Sequence, residues 1–228
     1  MLVGERILMK ASGKKLPYDA EVEYLQSTGT QYIDTGVVIT QTTKMRLDVS
    51  IVKNAGNFGC IDTADARCHS DSTANPTVFR VGSVSDAYDF PADTRVNVTV
   101  DIQNLVYTIY GISTSMTRPG DLPISTFGLF ARNFGGTWTP CSMTVYAVQF
   151  YSNGTIVRDF VPVRKGDAGY LYDRVSGRLF GNAGTGAFTI GPDKTANMNG
   201  GGGGQKCFRY SPSLFLPSSR RSAWKEAA

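Results

Sequence analysis

The chain has 228 residues, enough for one sandwich-sized domain with tails, and no apolar run approaches the ~18 residues that a membrane-spanning helix needs. With 25 glycines, 11 tyrosines, 12 phenylalanines and only four glutamates, the composition favours strands and turns over helices. The net charge of +4 lies in the tails, since residues 1–16 carry +3, residues 194–228 carry +5 and the body between them carries −4. That distribution argues against a nucleic-acid-binding face on the domain itself.

In chain order, the first segment, MLVGERILMKASGKK, interrupts its apolar residues with Glu5, Arg6 and Lys10. It lacks the ~7–15-residue apolar stretch of a secretion leader, and residues 1–16 read as a basic extension. The predicted domain covers residues 17–193. It opens on EVEYLQSTGTQYIDTG (Glu21–Gly36), a glycine-punctuated run in which Gly29 and Gly36 permit strand-end conformations that a Cβ would strain. Alternation then marks strands. Met45, Leu47, Val49 and Ile51 share one face of 44–51, and Val96, Val98, Val100 and Ile102 share one face of 95–102. Gln103-Asn104 turns the chain into a return strand over 105–112, and 127–130 and 143–151 add two more. Asn153-Gly154 is a strong type I′ hairpin signal, with 156–163 as its return arm. Asp173, followed by Ser176-Gly177, fits a turn in which a carboxylate accepts backbone N–H groups. Arg158 and Asp159 lie on opposite faces of one strand and should each pair with a neighbouring strand. Short strands at 171–172, 178–180 and 187–190 close the domain.

Many short strands with frequent turns predict an all-β, two-sheet antiparallel sandwich of the jelly-roll type. Beyond it, Asn197–Gly204 reads as a flexible glycine linker. Residues 205–228 then mix Phe208, Tyr210, Leu214, Phe215, Leu216 and Trp224 with prolines and arginines. That composition fits a disordered end, or a segment that docks onto a partner chain or onto the sandwich.

Three stretches, YLQSTGTQYIDTG (Tyr24–Gly36), FYSNGTIVRDFVP (Phe150–Pro162) and GYLYDRVSGRLFGNAGTGAF (Gly169–Phe188), together resemble a group of laminin-G-like, concanavalin-A-like domains. Such domains occur in phage and prophage structural proteins and in surface proteins of gut bacteria. The resemblance spans about 170 residues, essentially the body of the chain. It implies a jelly roll with a binding or structural role, located on a virion or bacterial cell surface, and it carries no catalytic signature.

Candidate chemistry is sparse. On a strand, Glu21 and Glu23 would share a face about 6.6–6.8 Å apart at Cα, a spacing that brings carboxylates within the range of a retaining glycosidase. The pattern Glu-x-Glu-x-x-Gln echoes the Glu-x-Asp-x-x-Glu strand of glucanases with this fold. However, Gln26 replaces the acid/base, and the other two glutamates, Glu5 and Glu226, lie in the tails. No nucleophile elbow, P-loop or dinucleotide fingerprint occurs, and His69 is the sole histidine. The run Gly181–Gly186 lacks the lysine and the following helix of a phosphate cradle and reads as a turn. Cys60 and Cys68 could close a small loop in an oxidising compartment, but free thiols are the default without a leader. With His69 they match no zinc spacing.

Binding is the stronger expectation. Asp62, Asp65 and Asp71 crowd one predicted loop and are the best local supply of calcium ligands, with solvated acids as the alternative. For a glycan, the loop RNFGGTW offers Arg132, Asn133, Phe134 and Trp138, and Tyr88, Asp89 and Phe90 form a second candidate. Alternatively, Phe134 and Trp138 plug the end of the sandwich. The expected function is therefore a non-catalytic adhesion or structural module without a required cofactor. It would recognise a glycan or cell-surface receptor through rim loops. The alternative is an assembly protein that contacts other virion or surface chains, or its own copies, through its C-terminal tail.

Overall fold

The computed structural model describes residues 16–194. The rest of the basic extension, the glycine linker and the aromatic C-terminal segment lie outside the described residues. Among those described, nineteen strands form and no helix does. The first nine are β1 (Ala20–Glu21), β2 (Leu25–Gln26), β3 (Ile33–Val38), β4 (Thr43–Ile51), β5 (Gly59–Ile61), β6 (Arg67–Asp71), β7 (Val78–Val81), β8 (Ala87–Asp89) and β9 (Val96–Asp101). Then come β10 (Val106–Ile109), β11 (Ile112–Ser115), β12 (Thr126–Leu129), β13 (Ala131–Phe134), β14 (Thr137–Pro140) and β15 (Met143–Ser152). The last four are β16 (Thr155–Lys165), β17 (Ala168–Asp173), β18 (Arg178–Phe180) and β19 (Thr189–Ile190).

They form two sheets. The larger runs β11-β10-β9-β4-β15-β16-β17-β18, with β1 on β16, β2 on β15 and β19 on β2. The smaller runs β14-β13-β5-β6-β7-β8, with β12 joining β3 to β5. Strand pairs are antiparallel except β13 on β5, which is parallel. One apolar cluster draws on both sheets, with Met45, Leu47, Val49 and Phe150 from the larger and Cys60, Phe79 and Phe127 from the smaller. Phe127 and Phe150 meet edge-to-face across the two sheets at 5.4 Å. These contacts give the all-β, two-sheet sandwich that the alternation predicts.

The alternation explains the strands and one irregularity. β4 buries Thr43, Met45, Leu47, Val49 and Ile51 and leaves the residues between them more open. β15 changes phase, burying Met143 and Val145 and then Val148 and Phe150. The cause is a bulge at Tyr146 in its pairing with β4, which adds one residue and restores the apolar side to the core. The displaced Tyr146 ring packs on Tyr24 and lies under the Arg95 guanidinium, 3.9 Å away.

Turn chemistry sets the hairpins. Asn153 and Gly154 have φ of 48° and 75°, as a type I′ turn requires. The expected single strand over 105–112 is instead two strands. Ile109 pairs with Ile112 across a turn at Tyr110-Gly111, whose φ values are 52° and 79°. Asp173, fully buried, accepts the N–H groups of Asp159, Val175 and Ser176 and the Ser176 hydroxyl. Arg158 approaches Asp173 at 3.8 Å, while Asp159 accepts from Gln149 Nε2 at 3.0 Å, so each member of the Arg158-Asp159 pair does engage a neighbouring strand.

Two of the sequence motifs lock together. Thr185 N–H donates to the Thr30 carbonyl, Ala183 N–H to the Tyr32 carbonyl and Gln31 Nε2 to the Ala187 carbonyl, while Asn182 Oδ1 accepts Tyr32 N–H. The Gly181–Gly186 run is thus a turn clamped onto the Thr28–Tyr32 segment. Val22 bridges Asp193, and Lys194 N–H donates to the Glu21 carbonyl, which ties the end of the described region to its beginning.

Candidate functional site

The expected loop Arg132–Trp138 is a tight hairpin, with β13 and β14 joined by Gly135-Gly136 at φ of 53° and 92°. Strand alternation therefore splits its residues between two faces. Asn133 is buried and structural, donating from Nδ2 to the Thr126 carbonyl and accepting Gly136 N–H at Oδ1. Trp138, directly opposite Asn133, stacks on Tyr32 at 4.7 Å and 16° between planes. Arg132 and Phe134 point the other way, and Phe134 is 48% exposed. The second expected group lies on β8. Tyr88 stacks on Tyr107 at 5.0 Å, and the Asp89 carbonyl accepts the Tyr107 hydroxyl at 2.6 Å. Both contacts are structural.

The three aspartates do not converge, and no group of three or more His, Cys, Asp or Glu among the described residues is placed to hold a metal. Asp62 accepts the N–H groups of Ile124 and Ser125 and the Ser125 hydroxyl. Burial pulls its carboxyl up, but these bonds outweigh it and hold the group below its ordinary range. Asp71 ends β6 and pairs with Arg80 Nε at 2.9 Å, while Asp65 is exposed in the turn before β6. Glu21 pairs with Arg174 at 2.7 Å and Lys194 at 3.9 Å, and Glu23 is exposed. Cys60 and Cys68 face each other across β5 and β6 as free thiols on the core side. His69, next along β6, points to the opposite side, so the three cannot share a metal.

What the smaller sheet does assemble is a basic row on the side facing away from the core. Cross-strand register aligns Thr139, Arg132, Gly59, His69, Arg80 and Ala87 on neighbouring strands. The adjacent row places Phe134 beside Ile61 and Arg67. Strands lie ~4.8 Å apart, so Arg132 and His69 stand about 10 Å apart at Cα, with the side-chain-free Gly59 between them. Gly59 has φ +114°, and a Cβ there would approach His69 Cα to 2.7 Å.

Three polar atoms on this face are buried without a hydrogen-bond partner among the described residues: Arg67 Nε, His69 Nε2 and Arg132 Nε. His69 is 3% exposed, and its Nδ1 bonds the Ser70 carbonyl. Only a protonated nitrogen can donate to a carbonyl, so Nδ1 carries the hydrogen and Nε2 is a bare lone pair in the neutral ring. Burial pushes the imidazole down to about 4; the Ser70 bond and Asp71 oppose this, and Arg132 and Arg67 deepen it. Burial likewise lowers the Arg67 guanidinium, helped by Arg80 and Arg132 and opposed by Asp65 and Asp71. Arg80 has its carboxylate in Asp71, whereas neither Arg67 nor Arg132 forms an ion pair among the described residues.

Comparison with known proteins adds no assignment. No family model, curated protein or solved structure matches the chain.

The face thus unites two residues singled out from the sequence, Arg132 and Phe134, with Arg67, His69 and Arg80, which sequence reasoning missed as part of a binding face. Alternation of Arg67, His69 and Asp71 with Cys68 and Ser70 was the available signal. Elsewhere, a hollow on the larger sheet is lined by Lys44, Arg46, Asp101, Gln103, Asn104, Tyr151 and Gly154. Its charges are already engaged, Lys44 with Asp101 at 3.1 Å and Arg46 over the Tyr151 ring.

Proposed function

We propose that the chain is a non-catalytic recognition module with a laminin-G-like jelly-roll topology, borne on a phage virion or bacterial cell surface, that takes a glycan on the outer face of its smaller sheet. The observation that carries this reading is the group of three buried, unpartnered nitrogens beside the exposed Phe134 ring. Buried polar groups are almost always paired in a folded protein, by protein, ordered water or ligand, and three together are suited to a ligand that supplies the partners. An exposed aromatic ring adjoining hydrogen-bonding groups suits a saccharide, whose C–H face stacks while its hydroxyls bond. We favour this face over the rim loops as the contact surface, because the side chains of Trp138, Asn133 and Tyr88 are engaged in internal contacts.

A glycan array probed with the full chain and with Phe134→Ala tests this reading. The expected outcome is a defined set of hits that weakens about tenfold in the variant, the loss of one stacking contact of ~1.4 kcal/mol. Absence of any hit, or hits indifferent to Phe134, would contradict it.

A further inference from the structure

The orphaned atoms on the smaller sheet specify more than a saccharide. Two are guanidinium N–H donors without a carboxylate, and the third is an imidazole nitrogen that becomes a donor when it takes a proton. We infer that this face is an anion site, formed by Arg67 and His69 on β6 and Arg132 on β13, the strands that flank Gly59 of β5, and that it seats the carboxylate or ester sulfate of an acidic saccharide. This inference rests on the proposed glycan reading and names the class of glycan.

Charge decides between an anion and a neutral occupant. A water molecule or a sugar hydroxyl would answer the hydrogen bonds, yet would bring no negative charge to two part-buried guanidinium groups that form no ion pair among the described residues. Such charges are costly unless paired. The body of the chain is acidic, with −4 over residues 17–193, so these arginines are not part of a generally basic surface. Acidic groups are also at hand in the neighbourhood, but Asp71 is held by Arg80, and Asp65 is exposed and forms no ion pair. Arginine is suited to the task, since its planar fork matches the oxygens of a carboxylate or sulfate.

Proton uptake accompanies binding. The groups facing His69 are Arg67 and Asp71 from its own strand, Arg132 from β13 and Arg80 beside it on β7. In the free protein burial, reinforced by Arg132 and Arg67, keeps the ring neutral. A bound anion cancels their field and offers an acceptor to Nε2–H, so the ring takes a proton from solvent and becomes the third donor. Affinity therefore rises as pH falls towards 4.

His69 is the only histidine, so its imidazole resonances can be followed without assignment ambiguity in the full chain. The experiment titrates those resonances from pH 4 to 7 in ~0.15 M chloride. It compares the protein alone with the protein in dextran sulfate, polygalacturonate and neutral dextran. The expected result is a His69 titration raised by about one pH unit in a charged polymer, equivalent to about tenfold tighter binding at the acid end. The larger response distinguishes ester sulfate from carboxylate. Arg67→Gln and Arg132→Gln should each abolish the displacement and weaken binding about tenfold, as expected for a charge-assisted bond of ~1.5 kcal/mol. A His69 titration unmoved by both charged polymers overturns the inference, even if they bind through the basic segments 1–16 and 194–228. Array hits that depend on Phe134 while His69 stays unmoved would retain the glycan face and remove its anion site. A displaced His69 with no array hit would do the reverse.

Discussion

Lowering the pH from 7 to 5 should destabilise this protein through one residue. His69 titrates near its ordinary 6.5 when the chain is unfolded and near 4 when it is folded. Between those values the unfolded chain holds a proton that the folded chain lacks. Unfolding then takes up a proton, and stability falls as pH falls. His69's full contribution is present above pH 6.5 and is lost progressively down to 4. Integrating this linkage from pH 7 to 5 gives a loss of about 2 kcal/mol. That corresponds to a urea midpoint lower by about 1 M for a typical slope of ~2 kcal/mol per M. No other side chain ordinarily titrates in this window, since the buried thiols of Cys60, Cys68 and Cys141 are pushed upward by burial and Asp62, Asp71, Asp101 and Asp173 are held below their usual range. Urea melts at the two pH values in chloride buffer, for the protein and for His69→Gln, measure the effect. The variant should lose the slope, and added sulfate should reduce it in the parent protein. A flat profile in the parent, or equal slopes in the two proteins, would refute the account of His69.

Three further outcomes follow from named contacts. Asp173→Asn replaces an oxygen that accepts two Ser176 donors with an amide donor, and should cost about 3 kcal/mol in urea melts, whereas a loss under about 1 kcal/mol would show these bonds to be dispensable. Trp138→Ala removes the ring stacked on Tyr32 and should lower stability by about 2–3 kcal/mol while leaving glycan affinity intact; Phe134→Ala should lower affinity and spare stability, and a reversed pattern on paired melts and binding curves would exchange their roles. Cys60, Cys68 and Cys141 are fully buried, so alkylation mapped by peptide mass spectrometry should reach them only as fast as the domain unfolds. Rapid labelling at Cys60 or Cys68 in native buffer would contradict their burial.

The sandwich was legible because its long strands alternate strictly. Met45 to Ile51 and Val96 to Ile102 declare one buried side each, and Asn153-Gly154 declares its turn. The smaller sheet was far less readable, since β5 has three residues, all buried, and offers no alternation. Gly135-Gly136 reads as part of a loop in the sequence but joins two strands, and Tyr110-Gly111 carries a weaker turn signal than Asn-Gly. The carboxylate of Asp173 was readable as a turn residue because its partners are local in sequence. The basic face was not readable, because Arg132 and His69 are 63 positions apart and meet only through β5 lying between β13 and β6. Parallel pairing of β13 with β5 sets that register, and no local pattern encodes it.

The central claim, that ligand binds on the outer side of the smaller sheet, is tested most directly by mapping backbone amide shifts of the full chain as an array hit is titrated in. The account predicts that the largest changes fall on Gly59, Arg67, His69, Arg132 and Phe134, on three neighbouring strands. Changes concentrated instead at Tyr88 and Asp89, or around the hollow at Lys44 and Asp101, with the β5–β6–β13 amides silent, would contradict it.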